Sequence, residues 1–211
     1  MVAVSKAAAV RRILHRYLEE VVERYDLCPW ARGAREHGEL AIGIVWGEPT
    51  LDDWRAAAEP LLADPKIAVV MIVAPESAVT RSGLAALRDQ LAAELPAAGI
   101  AEFHPDAALD LATPARLVPF LRRAPDPLLQ LVPLRLLDTA RQAPPPPDRA
   151  QQVAMLGGHG AMPRLALSAR IAAANHATTA RAHVELAAMF EAIAEDRRQA
   201  YEAAGIASAF R

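Results

Sequence analysis

A single cysteine, Cys28, in a chain of 211 residues rules out an internal disulfide, which fits a reducing compartment. Neither charge dominates: 23 basic against 25 acidic residues give a formal net charge of -2. Such a balance supplies no field strong enough to draw the chain to nucleic acid or to an anionic membrane, so neither is expected as a partner. Long hydrophobic runs are missing too, since stretches such as Ile67 to Pro75 fall well short of the roughly 20 residues that span a bilayer. Arg11 and Arg12 follow an alanine-rich start, but no secretory core and cleavage site follow them, so the expected location is cytoplasmic. Aromatic residues are scarce as well, at 5%, while hydrophobic residues reach 53%, so the apolar mass is mainly alanine, leucine and valine and favours helices. A chain of this length buries one sizeable core.

Periodicity assigns the elements. Ile13, Tyr17 and Val21 recur at helical spacing within Val10 to Tyr25, with Arg16, Glu19, Glu20 and Glu23 on the other face. That helix must stop before Pro29, which places Cys28 on a bend. Leu40 to Trp46 and Ile67 to Ala74 read as buried strands between turn residues, and Thr50 caps a helix from Leu51 to Ala63 between them. A second helix, Thr80 to Leu95, leads to a strand, Ile100 to Phe103, that delivers His104 to its end. The stretch from Pro105 to Pro127 is studded with proline and holds a short helix near Ala115 to Leu121, and Leu128 to Val132 returns as a strand. The alternation predicts an α/β fold with a small, mostly parallel sheet of about four strands, flanking helices and a long C-terminal helix from about Leu165 to Ala204. Residues 1–143 form the expected core. Residues 144–211 supply a proline linker, Pro144 to Pro147, a glycine loop around His159, and the helical extension, which packs on the core or pairs with a second copy to make a homo-oligomer.

Four residues are the catalytic candidates. Cys28, in Leu27-Cys28-Pro29-Trp30, offers a thiol that Arg32, Arg35 or a histidine could activate, although a lone cysteine also serves as a small core hydrophobe. His104 closes a strand, where ligands of open α/β sheets collect, and Asp106 is placed to orient its imidazole. Arg123 sits in a rigid proline loop from which a guanidinium can clamp an anion, or simply face solvent. Further along, Asn175, His176 and His183 share the long helix and could flank a cofactor or serve packing.

The segments Leu27-Cys28-Pro29-Trp30-Ala31, Phe103-His104-Pro105-Asp106 and Arg123-Ala124-Pro125-Asp126-Pro127 together resemble the DUF1415 family of bacterial proteins of unknown function. The likeness covers roughly Ile13 to Arg141 and implies site roles for Cys28, His104 and Arg123. The chain departs from the family pattern at Arg122, Ala124, Asp126 and Gln130, where the family carries asparagine, serine, tyrosine and often histidine. The leading expectation is a small-molecule or cofactor-dependent enzyme with Cys28 as nucleophile or metal ligand, His104 as base or second ligand, and Arg123 as anion clamp. The alternatives are a haem- or transition-metal-binding protein without turnover, with Cys28 and His104 as metal ligands, and a helical interaction module.

Overall fold

A computed structural model describes residues 5–28, 31–136 and 167–210. The proline linker and the His159 loop lie outside these residues. Helix α1, Lys6–Tyr17, starts at Ser5, whose hydroxyl accepts from the Ala8 backbone N–H, and buries Ala9, Val10, Ile13, Leu14 and Tyr17 along one stripe. It runs into a π-helical turn, Leu18–Glu23, which buries Val21 and Val22. A short helix α2, Ala31–Glu36, which periodicity alone does not reveal, follows the Cys28 bend. Then come β1 (Leu40–Ile44), α3 (Leu51–Leu62), β2 (Val69–Val73), α4 (Arg81–Glu94), β3 (Ala98–Phe103), α5 (Pro114–Leu121), β4 (Leu128–Pro133) and α6 (Leu167–Ala204). Thr50 and Asp53 close a reciprocal capping box at the start of α3, and Thr80 caps α4 through Gly83 N–H.

The fold is α/β, but the sheet is mixed rather than mostly parallel. Its order is β1-β2-β4-β3; β1 pairs parallel to β2, while β4 lies antiparallel between β2 and β3. The connections explain this. Helices α3 and α4 are long enough to carry the chain back along the sheet, so β1, β2 and β3 point the same way. Between β3 and β4 the only helix, α5, has 8 residues, a length of about 12 Å. The chain therefore turns back at the edge it left, with His104 N–H bonded to Arg122 carbonyl oxygen at 2.9 Å and Phe103 opposite Leu128.

Both faces of the sheet are covered, which explains the unbroken apolar run of β2. On one side Val70, Ile72, Leu129 and Leu131 meet Trp54, Ala58, Leu84 and Leu91 of α3 and α4. Gly43 permits close approach there, because a Cβ would stand 2.7 Å from Ile72 Cδ1. On the other side Met71, Val73 and Leu128 meet α1, α5 and α6.

Helix α6 belongs to that second layer. Asn175, Thr179, Leu186, Phe190, Ile193, Arg197 and Tyr201 form its buried stripe, and Leu186, Phe190, Ile193 and Tyr201 join the cluster made by α1 and β2. Outside the core, Asp196 grips Arg12 at 2.7 and 2.8 Å and Arg16 at 2.8 Å, fixing α6 against α1. Gly205, at φ +66, ends the helix: its N–H bonds Glu202 oxygen and that of Ile206 bonds Tyr201 oxygen, the paired closure that a left-handed residue allows. Ile206 is then buried in the core.

The tail beyond it is tied to the sheet. Asp126, just before β4, accepts from Arg197 Nε and Nη2 at 2.8 and 2.6 Å and from the Tyr201 hydroxyl at 2.6 Å. The same guanidinium donates to Phe210 carbonyl oxygen and to Ser208 Oγ. Burial, together with the neighbouring Asp126 carboxylate, drives the Tyr201 hydroxyl far above its ordinary value, so it stays a donor.

Candidate functional site

Cys28 is held by three features of its own sequence surroundings. The π-helical turn ends at Glu23, Leu27 N–H bonds Val22 oxygen at 2.9 Å, and Asp26 takes a left-handed φ of 50. Across the interface, Asn175 Nδ2 donates to Leu27 carbonyl oxygen at 3.1 Å, so a buried asparagine of α6 fixes the bend that carries the thiol. Asn175 thus positions the Cys28 turn.

The thiol lines a cavity of about 260 Å³ between the helical layer and the sheet. Its described wall is hydrocarbon from Leu18, Val22, Met71, Phe103 and Leu128 among others, with polar contributions from Tyr17, Arg122 and Gln130. Tyr17 is fully buried, and desolvation first and the nearby Cys28 second push its hydroxyl well above the ordinary range, which keeps it neutral. Gln130 occupies a central strand, between Met71 of β2 and Ala101 of β3. By strand alternation it shares the cavity face with Leu128, while Leu129 and Leu131 face α3 and α4.

The arginines that could have activated the thiol are engaged elsewhere. Arg35 donates through Nε and Nη2 to the two Glu23 carboxylate oxygens at 2.7 and 2.9 Å and reaches Glu19 at 3.1 Å, and Arg32 bonds Glu23 carbonyl oxygen. Those Arg35 hydrogen bonds hold the buried Glu23 carboxyl below the usual carboxylate range despite its burial. The network braces the start of α2 against the π-helical turn.

His104 is also fully engaged. The ring is 2% exposed. Its Nδ1 accepts from the Asp106 backbone N–H at 3.0 Å, so the proton sits on Nε2, which donates to Val79 carbonyl oxygen at 2.9 Å. Phe210 packs edge-on at 5.1 Å. Residue alternation along β3 sends Phe103 into the Cys28 cavity, whereas the His104 ring reaches the loop before α4. His104 lines a smaller pocket of about 60 Å³ with Arg81, Glu102 and Arg122, and Arg122 is the one described residue common to its lining and that of the Cys28 cavity. Asp106 orients the imidazole through its backbone; its side chain is exposed and takes no part in that bond.

Arg123 and Asp106 come together in a third cavity, of about 350 Å³, beside Phe190 and Arg197. There the Arg123 guanidinium lies 5.1 Å from the Phe190 ring centre and 3.5 Å from Glu191. The structure therefore distributes the candidate residues over three places: Cys28 in one cavity, His104 in another, Arg123 and Asp106 in a third.

On α6, His176 Nε2 donates to Leu111 oxygen at 3.0 Å, and His183 Nδ1 contacts Ala180 oxygen of its own helix at 3.1 Å. They anchor a loop and the helix surface respectively. No group of three or more His, Cys, Asp or Glu side chains with metal-ligand geometry occurs among the described residues. Among those residues no helix is long and apolar enough to cross a membrane.

From the sequence, Gln130 stood out only as a departure from the DUF1415 pattern, and Arg122 only as such a departure and as the neighbour of Arg123 at the start of the proline loop. The signal for Gln130 was present as a lone amide within Leu128-Leu129-Gln130-Leu131-Val132, a polar interruption of a strand buried on both faces. That Arg122 closes the chain onto His104 is visible in the structure alone. No family model, no curated protein and no solved structure matches this chain.

Proposed function

We propose that this protein binds a small, mainly apolar organic molecule in the cavity beside Cys28, with the thiol as the soft, polarisable group that meets it. The observation that carries the reading is the make-up of the cavity: a largely hydrocarbon wall, enclosed by helices on one side and sheet on the other, into which a few polar side chains converge. A volume of about 260 Å³ admits a ligand of one ring and a short substituent rather than a dinucleotide or a haem. A nucleophilic role for Cys28 would act on that molecule, without His104, whose ring nitrogens both serve the fold. Two of the three segments that carry the likeness to the DUF1415 family reach this cavity, through Leu27, Cys28 and Phe103, while the third, around Arg123, lines another.

The test is the rate at which iodoacetamide alkylates Cys28 in the intact chain. Small aromatic compounds should slow the reaction in a saturable manner. Ala101→Leu, which places three more carbons in the cavity wall, should abolish that protection while the protein stays folded. An alkylation rate indifferent to every compound, in wild type and variant alike, would overturn the proposal.

A further inference from the structure

Resting on that reading, we infer that the ligand of the Cys28 cavity carries a neutral edge with a hydrogen-bond donor beside an acceptor, as a carboxamide or a cyclic amide does, and that Gln130 recognises it. Gln130 stands in the middle of the sheet, flanked in register by Met71 and Ala101, at the floor of the cavity. Its backbone serves the β-ladder. Its side-chain amide has an N–H₂ and a C=O to satisfy, and no hydrogen bond among the described residues uses either, although the residue is largely shielded from solvent.

The side chain shares the cavity face with Met71, Ala101 and Leu128, and neither amide atom is sealed from solvent, so both hydrogen-bonding groups are open to a molecule that enters the cavity. The polar group is therefore a recognition element awaiting its complement. A primary carboxamide has one shape of complement in an apolar place: another amide-like edge, which accepts from its N–H and donates to its carbonyl through two parallel hydrogen bonds.

Charge argues for a neutral edge. Arg122 borders the cavity, but its Nη1 is bonded to Glu102 at 2.9 Å, and Glu102 lies on the opposite face of β3 from Phe103 and also pairs with Arg88 at 3.4 Å. The guanidinium is thus committed to a carboxylate on the other face of the edge strand. Tyr17, held neutral, adds no charge. A carboxylate entering the cavity would meet a hydrocarbon wall and only half of the amide.

The experiment compares benzamide, benzoate and ethylbenzene, which share a ring and differ in one substituent, for protection of Cys28 against iodoacetamide in the full chain. Benzamide should protect at about tenfold lower concentration than ethylbenzene and benzoate, the discrimination expected of one or two hydrogen bonds made in an apolar site. In Gln130→Leu, benzamide should lose that advantage while ethylbenzene protects as before, which also shows that the variant is folded and its cavity open. Gln130→Glu, which turns the amide into an acceptor pair, should transfer the preference to benzamidine. Ethylbenzene protecting as well as benzamide, or Gln130→Leu retaining the preference, overturns the inference and leaves the cavity reading standing. Benzoate protecting best assigns the polar end to Arg122 instead and equally overturns it. No protection by any of the compounds overturns both.

Discussion

Removing Asp126 tests how the C-terminal helix is held to the sheet. In Asp126→Ala the Arg197 guanidinium loses two hydrogen bonds of 2.8 and 2.6 Å and its counter-charge, at a place where both side chains are only 4% exposed. An uncompensated buried charge costs about 3–5 kcal/mol, and the Tyr201 hydroxyl, which loses its 2.6 Å acceptor, adds about 1 kcal/mol. Set against a total stability of about 5–15 kcal/mol, the variant sits near the edge of folding. With a urea slope of about 2.5 kcal/mol/M, the midpoint should fall by roughly 1.6–2.4 M. The double variant Asp126→Leu/Arg197→Met removes both charges and refills the space, so it should recover most of the loss. Its tail, which Arg197 ties down through Phe210 oxygen and Ser208 Oγ, should nevertheless exchange amide hydrogens and be cleaved by protease faster than in wild type. A single variant that shifts the midpoint by less than about 0.4 M, or a double variant as unstable as the single, refutes the claim that this ion pair is a desolvated and interdependent unit.

Other expectations follow from the same geometry. Thr50→Ala breaks the capping box of α3 and should cost about 1 kcal/mol in urea unfolding at neutral pH. Gln130→Leu should raise the thermal midpoint, because the substitution puts hydrocarbon on the apolar cavity face beside Met71, Ala101 and Leu128. The hydrogen bonds of Arg12 hold the Asp196 carboxyl at about 2, below its ordinary 3.8, so its contribution is present above pH 4 and is lost as pH falls through 2. Asp196→Asn should accordingly flatten the fall in stability over that window, measured by urea titration at stepped pH. His104→Asn should leave the pH profile of Cys28 alkylation unchanged, whereas a working Cys–His pair would shift it.

Local rules made much of the fold legible. Thr50 and Thr80 mark the starts of α3 and α4, and the turn residues around Leu40, Val69 and Leu128 bound strands close to where they occur. The direction of β4 was not legible, because it depends on where residues 104–127 bring the chain back, and only the pairing of His104 N–H with Arg122 oxygen settles that. The π-helical turn likewise leaves no mark on a pattern read at a helical period.

The site divided along the same line. Cys28 on a bend was expected, and Asn175 was expected on the long helix beside a cofactor or in packing, but that it would bond Leu27 depends on a contact across 148 positions. His104 sits at a strand end as expected, yet one step past Phe103 turns its ring to the other side of the sheet, and position along a strand does not reveal which face already has its partners. Asp126 and Arg197, 71 positions apart, gave no sequence sign of each other.

The most direct measurement is a methyl NMR titration of the full chain with benzamide. A ligand seated beside Cys28 should shift the methyl signals of Met71, Leu128 and Val69, which line the cavity, and leave those of Leu129, Leu131 and Ile72 on the α3–α4 face in place. Shifts confined to the α3–α4 face, or to residues around Arg123 and Phe190, or no saturable shift at all, would contradict binding in this cavity.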